Sequence, residues 1–331
     1  MKHLLPQVPY YKANLHTHST ISDGKLTPEA VKEAYKEKGY SILSITDHSA
    51  MVPHNDLTDP DFLMLTGVEM DIPAKGSQKT CHLCMLSRDP QLQWIPFWDP
   101  KVLPHMPAFM AQCECENMER IYSPQALNAI IARANEKGLL VTYNHPAWSL
   151  EYYPDYSPLE GLWAMEYRNS GSLAIGFDEE NGWVFREFAH LGKFLMPIMA
   201  DDMHHPVSPR SGYPTLGSSW TMVGAEKLEY GCVMDALARG DLYSSCGPVI
   251  HSVTWDAGIL RISCSPAARI QMISYRRRAQ GMVGEGLTQA EYDMTKWLEL
   301  SREDPLAWFQ LIVTAADGTY AVTRAYRPCD L

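Results

Sequence analysis

The chain has 331 residues, 46% of them hydrophobic and 20% charged, which is enough for a sizeable core in one large domain and a small one. Its net charge of −11 excludes an extended nucleic-acid surface, which needs Lys/Arg stripes, but not a single phosphate at a site where bound cations reverse the local sign. No apolar run approaches the ~18 residues needed to span a bilayer, and residues 1–6 lack a secretory run, so the expectation is a cytoplasmic protein with no membrane partner.

In chain order, residues 10–15 read as a strand running into His16-Thr17-His18, with Ser22-Asp23-Gly24 just beyond. Two histidines one residue apart on an extended chain point the same way, which is metal-ligand geometry. Thr27-Pro28 opens a helix that Gly39 closes. Short strands are then expected at 41–46, ending in Asp47-His48, at 62–68, ending in Glu69, and at 80–86, containing His82.

Residues 89–121 break this rhythm with Trp94, Trp98 and several prolines, and read as an ordered excursion lying over the domain, with a role in substrate selection as one option. Ser123-Pro124 begins a helix to about Lys137; residues 139–143 form a buried strand before Asn144-His145-Pro146. A strand near 162–167 carries Glu166, a helix spans about 178–191, and residues 194–200 lead into Asp201-Asp202-Met203-His204-His205. A last helix covers about 225–238. Alternation of apolar strands and capped helices predicts an α/β fold with a mostly parallel sheet, closed or nearly closed into a barrel, over residues 1–247. Residues 248–331 change texture: strands at 249–253, 259–264, 269–275, 309–314 and 320–323 predict a small, β-sandwich-like C-terminal domain.

His16, His18, His48, Glu69, His145, Asp202 and His204 all fall at or just past predicted strand ends, which a parallel barrel gathers on one face. Imidazole mixed with carboxylate suits Zn, Mn or Fe rather than Ca or Mg. There are more donors than one ion can take, so the set predicts two or three divalent transition-metal ions. Asp201 and His205, flanking Asp202 and His204, would face the other way on an extended chain and support the ligands from behind. Arg168 and Arg210 are candidate phosphate clamps, because guanidinium matches phosphate bidentately. The eight cysteines read as reduced thiols, with Cys81/Cys84 and Cys113/Cys115 as a lesser option for structural zinc.

The ordered set from His16-Thr17-His18 through Asp202-Met203-His204, including His82, resembles the PHP (polymerase and histidinol phosphatase) family over roughly residues 10–247. The resemblance implies a distorted seven-stranded (β/α) barrel. It also implies that His16, His18 and Asp202 hold one ion, Asp23, His48 and His204 a second, and His82 and His145 a third, with Glu69 bridging. Asp23 stands where some relatives have histidine. Residues 220–223 and 241–248, with the β tail, look similar to the branch related to carbaryl hydrolases. The expected activity is hydrolysis of a small phosphorylated substrate by metal-activated hydroxide, with Glu69, Asp202 and His204 at the reacting centre. Hydrolysis of a carbamate, ester or amide at the same centre is the alternative, and a non-catalytic metal-binding module is a third reading.

Overall fold

The computed structural model describes residues 1–98, 113–275 and 277–331. The chain opens with β1 (Lys2–His3) and β2 (Tyr10–Asn14). The helix Pro28–Glu37 starts where Thr27 accepts a hydrogen bond from the Ala30 amide and Pro28 supplies the preset first turn. It leads to β3 (Ile42–Ile45), buried at all four residues, which pairs in parallel with β2 and with β4 (Leu63–Pro73). Such fully buried runs belong to strands covered on both faces.

β5 (Thr80–Ser87) runs antiparallel to β4, and β8 (Leu139–Tyr143) runs antiparallel to β5. β5 thus departs from the parallel pattern expected of the sheet. The physical reason is the connection: six residues join β4 to β5, closed by the Ala74 amide on the Lys79 carbonyl at 2.8 Å, whereas a parallel crossover needs about a dozen. Between β5 and β8, β6 (Trp94–Ile95) and β7 (Glu114–Cys115) form a small parallel ribbon with Trp94 fully buried. The rest of the Trp/Pro-rich excursion, residues 99–112 with Pro100, Pro104 and Pro107, lies outside the described residues.

The helix Pro124–Glu136, capped by Ser123, lays Leu127, Ile130, Ile131 and Ala134 on the core cluster that includes Val141, Leu83 and Met85. Each of the Leu and Ile side chains contributes about 1.5–3 kcal/mol by leaving water. β9 (Ala164–Asn169) pairs in parallel with β8, and β10 (Met196–Ala200) in parallel with β9. The row β2-β3-β4-β5-β8-β9-β10 is joined at its two ends just beyond β2 and β10. There the Asp202 amide donates to the His16 carbonyl at 3.0 Å, the His18 amide donates to the Met203 carbonyl at 3.2 Å, and Thr17 bridges Met203 in parallel.

On its other edge β2 pairs antiparallel with β11 (Trp220–Gly224), and β11 with β12 (Leu242–Ser245). The tail adds β13 (Ile250–Asp256), β14 (Ile259–Ser274), β15 (Gln280–Asp293), β16 (Phe309–Thr314) and β17 (Tyr320–Thr323). β17 pairs with β12, so these antiparallel strands continue the same sheet. The two strands expected at 259–264 and 269–275 are one long strand whose register shifts around Pro266, a residue that donates no ladder hydrogen bond. β15 was not expected, because its exposed, Gly-containing sequence shows no apolar alternation over most of its length. Among the described residues no helix is long and apolar enough to cross a membrane.

Candidate metal centre

His16 and His18 follow β2, His48 follows β3, His145 follows β8, and Asp202 and His204 follow β10. Two residues reach the same place differently. Glu69 sits inside β4 rather than at its end, with four residues of strand beyond it. His82 is the third residue of β5, whose reversed direction puts its amino end beside the carboxyl ends of its neighbours. The backbone is held in uncommon conformations here: φ is +22° at His145 and +47° at Asp202. Gly171 packs so closely on the Asp202 carbonyl that a Cβ there would lie 2.5 Å away.

Four donors converge most tightly. His16 Nε2 and His18 Nε2 are 3.2 Å apart, and each lies 3.1–3.3 Å from Glu69 Oε2 and Asp202 Oδ1. Donors about 2.0–2.1 Å from a common centre in a tetrahedron have edges of ~3.3 Å. Two imidazoles meeting nitrogen to nitrogen satisfy each other with at most one proton, and Asp202 Oδ1, although buried, has no hydrogen-bond partner. All four residues are buried. The donor set therefore fits a divalent cation, which would supply the charge that isolated buried carboxylates and imidazoles lack.

A second group shares His18. His204 Nε2 is 3.2 Å from Asp23 Oδ2, His48 Nε2 is 3.9 Å from the same oxygen, and His18 Nδ1 is 3.6 Å from Asp23 Oδ1. The His18 and His204 rings stack at 4.1 Å. His48 Nδ1, 3.4 Å from Glu69 Oε2, is buried without a hydrogen bond. Glu69 turns its other oxygen to His82 and His145, with Oε1 3.1 Å from His82 Nδ1 and 3.1 Å from His145 Nε2. The nine residues singled out in the sequence are thus brought together, with Glu69 placed between the inner group and His82 and His145 and reaching the second group through His48.

Charge follows the same pattern. Burial raises the pKa of Glu69 and Asp202, but the surrounding imidazoles, His16 foremost, outweigh it and hold both well below the usual carboxylate range. Burial lowers His16 and His18, and the Asp202 and Glu69 carboxylates more than reverse this, leaving both well above an ordinary histidine. Burial wins at His48, pushed down to about 4, with the charges of His18 and His82 adding to it.

Several residues behind the donors were not singled out as site residues. Glu166 Oε1 is 2.6 Å from His16 Nδ1, the carboxylate–imidazole contact that fixes a ligand's tautomer; its Oε2 accepts from the His145 amide and from Asn169 Nδ2. Asn169 Nδ2 also donates to Asp202 Oδ2, and Asn144 Nδ2 to Glu69 Oε1. A strand-borne glutamate with Asn three residues on was visible in the sequence, but nothing there distinguished it from other strand-end polar residues. Asp47 holds the loop after His18 by accepting from the amides and hydroxyls of Ser19 and Ser22. Asp201 faces away from the centre and accepts from the amides of Gly217, Ser218 and Ser219. His205, expected to turn away too, lines the cavity, because the positive φ at Asp202 ends the strand-like alternation.

The donors open into a cavity of about 600 Å³. Arg210 lines it. Arg168 does not; its guanidinium pairs with Glu180 and donates to Ser219 Oγ and Tyr213 Oη at 3.0 and 3.2 Å. The two cysteine pairs do not converge: Cys81 and Cys84 lie on opposite faces of β5, and among the described residues no donor group includes cysteine.

No family model matches the chain. A 2.20 Å crystal structure of a two-domain protein from Bacteroides vulgatus containing a predicted PHP-like metal-dependent phosphoesterase is similar at 14% identity and a TM-score of 0.45, covering 98% of this chain and 99% of that one. PHP-like metal-dependent phosphoesterases are thus among its structural neighbours. A Bifidobacterium adolescentis protein assigned as a metal-dependent phosphoesterase follows at 15% identity and TM-score 0.40, over 62% of this chain and 91% of the other. An amidohydrolase of Chromobacterium violaceum with bound sulfate and no metal gives 16% and 0.37, over 61% and 90%. In sequence, the Bacillus subtilis DNA polymerase/3'-5' exonuclease PolX is 37% identical over 84 residues, which are 20% of this chain and only 15% of that relative's length. The PHP resemblance drawn from the sequence is met again among these neighbours; the finer placement beside carbaryl hydrolases is not. With TM-scores below 0.5, function has to be read from the site's own geometry.

Proposed function

We propose that the protein is a metal-dependent hydrolase acting on a small phosphoester, and that the row of seven strands is a distorted PHP-type barrel carrying the centre, with residues 248–331 as an appended β-rich unit. The observation that supports this reading is the 3.1–3.3 Å spacing of the His16 and His18 Nε2 atoms from each other and from Glu69 Oε2 and Asp202 Oδ1, adjoined by a second group at Asp23, His48 and His204. Divalent ions such as Mn, Zn or Fe, held there, would lower the pKa of water and neutralise charge building on phosphoryl oxygens.

The chain's own residues do the rest. Glu166 fixes His16 in the tautomer that leaves Nε2 free, and Asn169 and Asn144 orient Asp202 and Glu69. Trp148 packs edge-on against His82 and His145 at 5.1 Å, shielding that side from water. His205 and Arg210 face the cavity outside the donor groups, where they can meet the leaving group and a phosphoryl oxygen.

A second reading, hydrolysis of a carbamate, ester or amide, is favoured by one observation: among the described residues, Arg210 is the one lining side chain with a fixed positive charge. Metal analysis of the purified protein, together with turnover of mono- and diester phosphates against matched p-nitrophenyl esters and carbamates, tests both. Bound metal with phosphoester turnover is the expected result. Carbamate or ester turnover alone selects the second reading, and no metal with no turnover removes both.

A further inference from the structure

Much of the cavity lining beyond the donors is chemically unlike them. It includes Trp148, Ala174, Ile175, Phe177 and Pro209; among the described residues the lining outside the donor groups has no Asn, Gln, Asp, Glu or Lys, and its polar side chains there are Ser172, His205, Ser208, Arg210 and Thr215. The Ser208 hydroxyl is already engaged, donating to the Ala174 carbonyl at 3.3 Å and accepting from the Arg210 and Ser211 amides at 3.4 Å. Ile175 is 37% exposed in a position where a ligand could cover it.

A sugar or nucleobase entering this space would bring several hydroxyl and amide groups that lose water and meet only the Ser172 and Thr215 hydroxyls, His205 and Arg210 away from the donors, and each group left over is costly. An apolar ring would instead exchange water for the faces of Trp148, Ile175 and Phe177. Resting on the phosphoester reading above, we propose that the substrate is a phosphoester whose alcohol portion is an apolar ring or branched chain, seated on Trp148, Ile175 and Phe177 with its phosphoryl group toward the metal donors. This portion, rather than the phosphate, sets specificity at the site.

Hydrolysis-inert phosphonates separate the tail from the chemistry. Calorimetric titration of the protein, loaded with the metal that elemental analysis finds, is run with benzylphosphonate and with 2,3-dihydroxypropylphosphonate, which share a headgroup. Benzylphosphonate should bind roughly tenfold tighter or more. In Ile175→Asn/Phe177→Asn, with circular dichroism and metal content unchanged, that preference should fall to near parity. Equal affinities in the wild-type protein, tighter binding of the diol, no binding of either ligand, or a preference that survives the double substitution would each overturn the proposal. Turnover is read separately: an intact tail preference without hydrolysis of 2-phenylethyl phosphate would sink the phosphoester chemistry and leave the apolar subsite standing.

Discussion

The two donor groups that share His18 are built on different footings. In the inner one His16, His18, Glu69 and Asp202 are buried, and three of them are fixed from behind by Glu166, Asn144 and Asn169. In the outer one Asp23 has 55% of its side chain exposed and His204 32%, and Asp23 hangs on a loop. The donor types are alike, imidazole and carboxylate, so the difference lies in what holds them. A preorganised inner group loses little freedom on taking an ion, whereas the outer group must order its carboxylate first.

The largest expected break is His16→Ala, which should remove the inner ion and lower turnover by roughly 10³-fold or more while the far-ultraviolet spectrum is unchanged. Turnover within tenfold of wild type would end the case for an inner catalytic ion. Glu166→Gln comes next: it touches no reacting group in this scheme, yet it should weaken inner metal affinity about 10–100-fold, seen by competition with a chelator. Asp23→Asn removes a donor's charge but should cost only about tenfold, confined to the weaker class of sites in a metal titration, because an exposed loop carboxylate contributes less. A larger loss in Asp23→Asn than in Glu166→Gln would invert the comparison.

A separate effect concerns stability rather than metal. Glu151, beneath the loop that carries His145, accepts from the hydroxyls of Tyr122 and Tyr143, and burial pushes its carboxyl up to about 7, with the charge of Asp155 adding to the rise. The folded carboxyl keeps its proton to higher pH than the unfolded one, so its contribution is fully present below the ordinary carboxylate pKa and is lost as pH rises through about 7. Denaturant unfolding at pH 4 and pH 8 should show wild type losing on the order of 3 kcal/mol more than Glu151→Gln across that window. Parallel pH curves for the two proteins would show that Glu151 is ionised when folded.

What the sequence disclosed and what it withheld divide along physical lines. The helix starts at Thr27-Pro28 and Ser123-Pro124 were legible, because capping is local chemistry. The histidines after β2, β3 and β8 were legible for the same reason: a strand end is marked by the residues around it. The direction of β5 was not, since periodicity is blind to strand polarity, and only the short 74–79 connection hinted at it. His82 falls inside its strand rather than at the end, and the reversal accounts for its place at the centre. Glu166 and Glu180 were indistinguishable in sequence, although one braces His16 and the other ties up Arg168 through a contact between β9 and the stretch before the helix Gly182–His190. β15 escaped because a mostly exposed strand leaves little hydrophobic alternation.

The reversed strand also bears on how such a centre can change. In a parallel unit the chain leaves the mouth through a helix, and altering that connection disturbs packing on the outer layer. Here Glu69 and His82 sit on the two arms of one ribbon whose turn, residues 74–79, stands clear of the donors and is exposed from Lys75 to Gln78. Adding or removing residues there in matched pairs would raise or lower a parapet beside the cavity without shifting either donor's register. The architecture thus leaves one side of the mouth free to drift in height while the chemistry beneath it stays fixed.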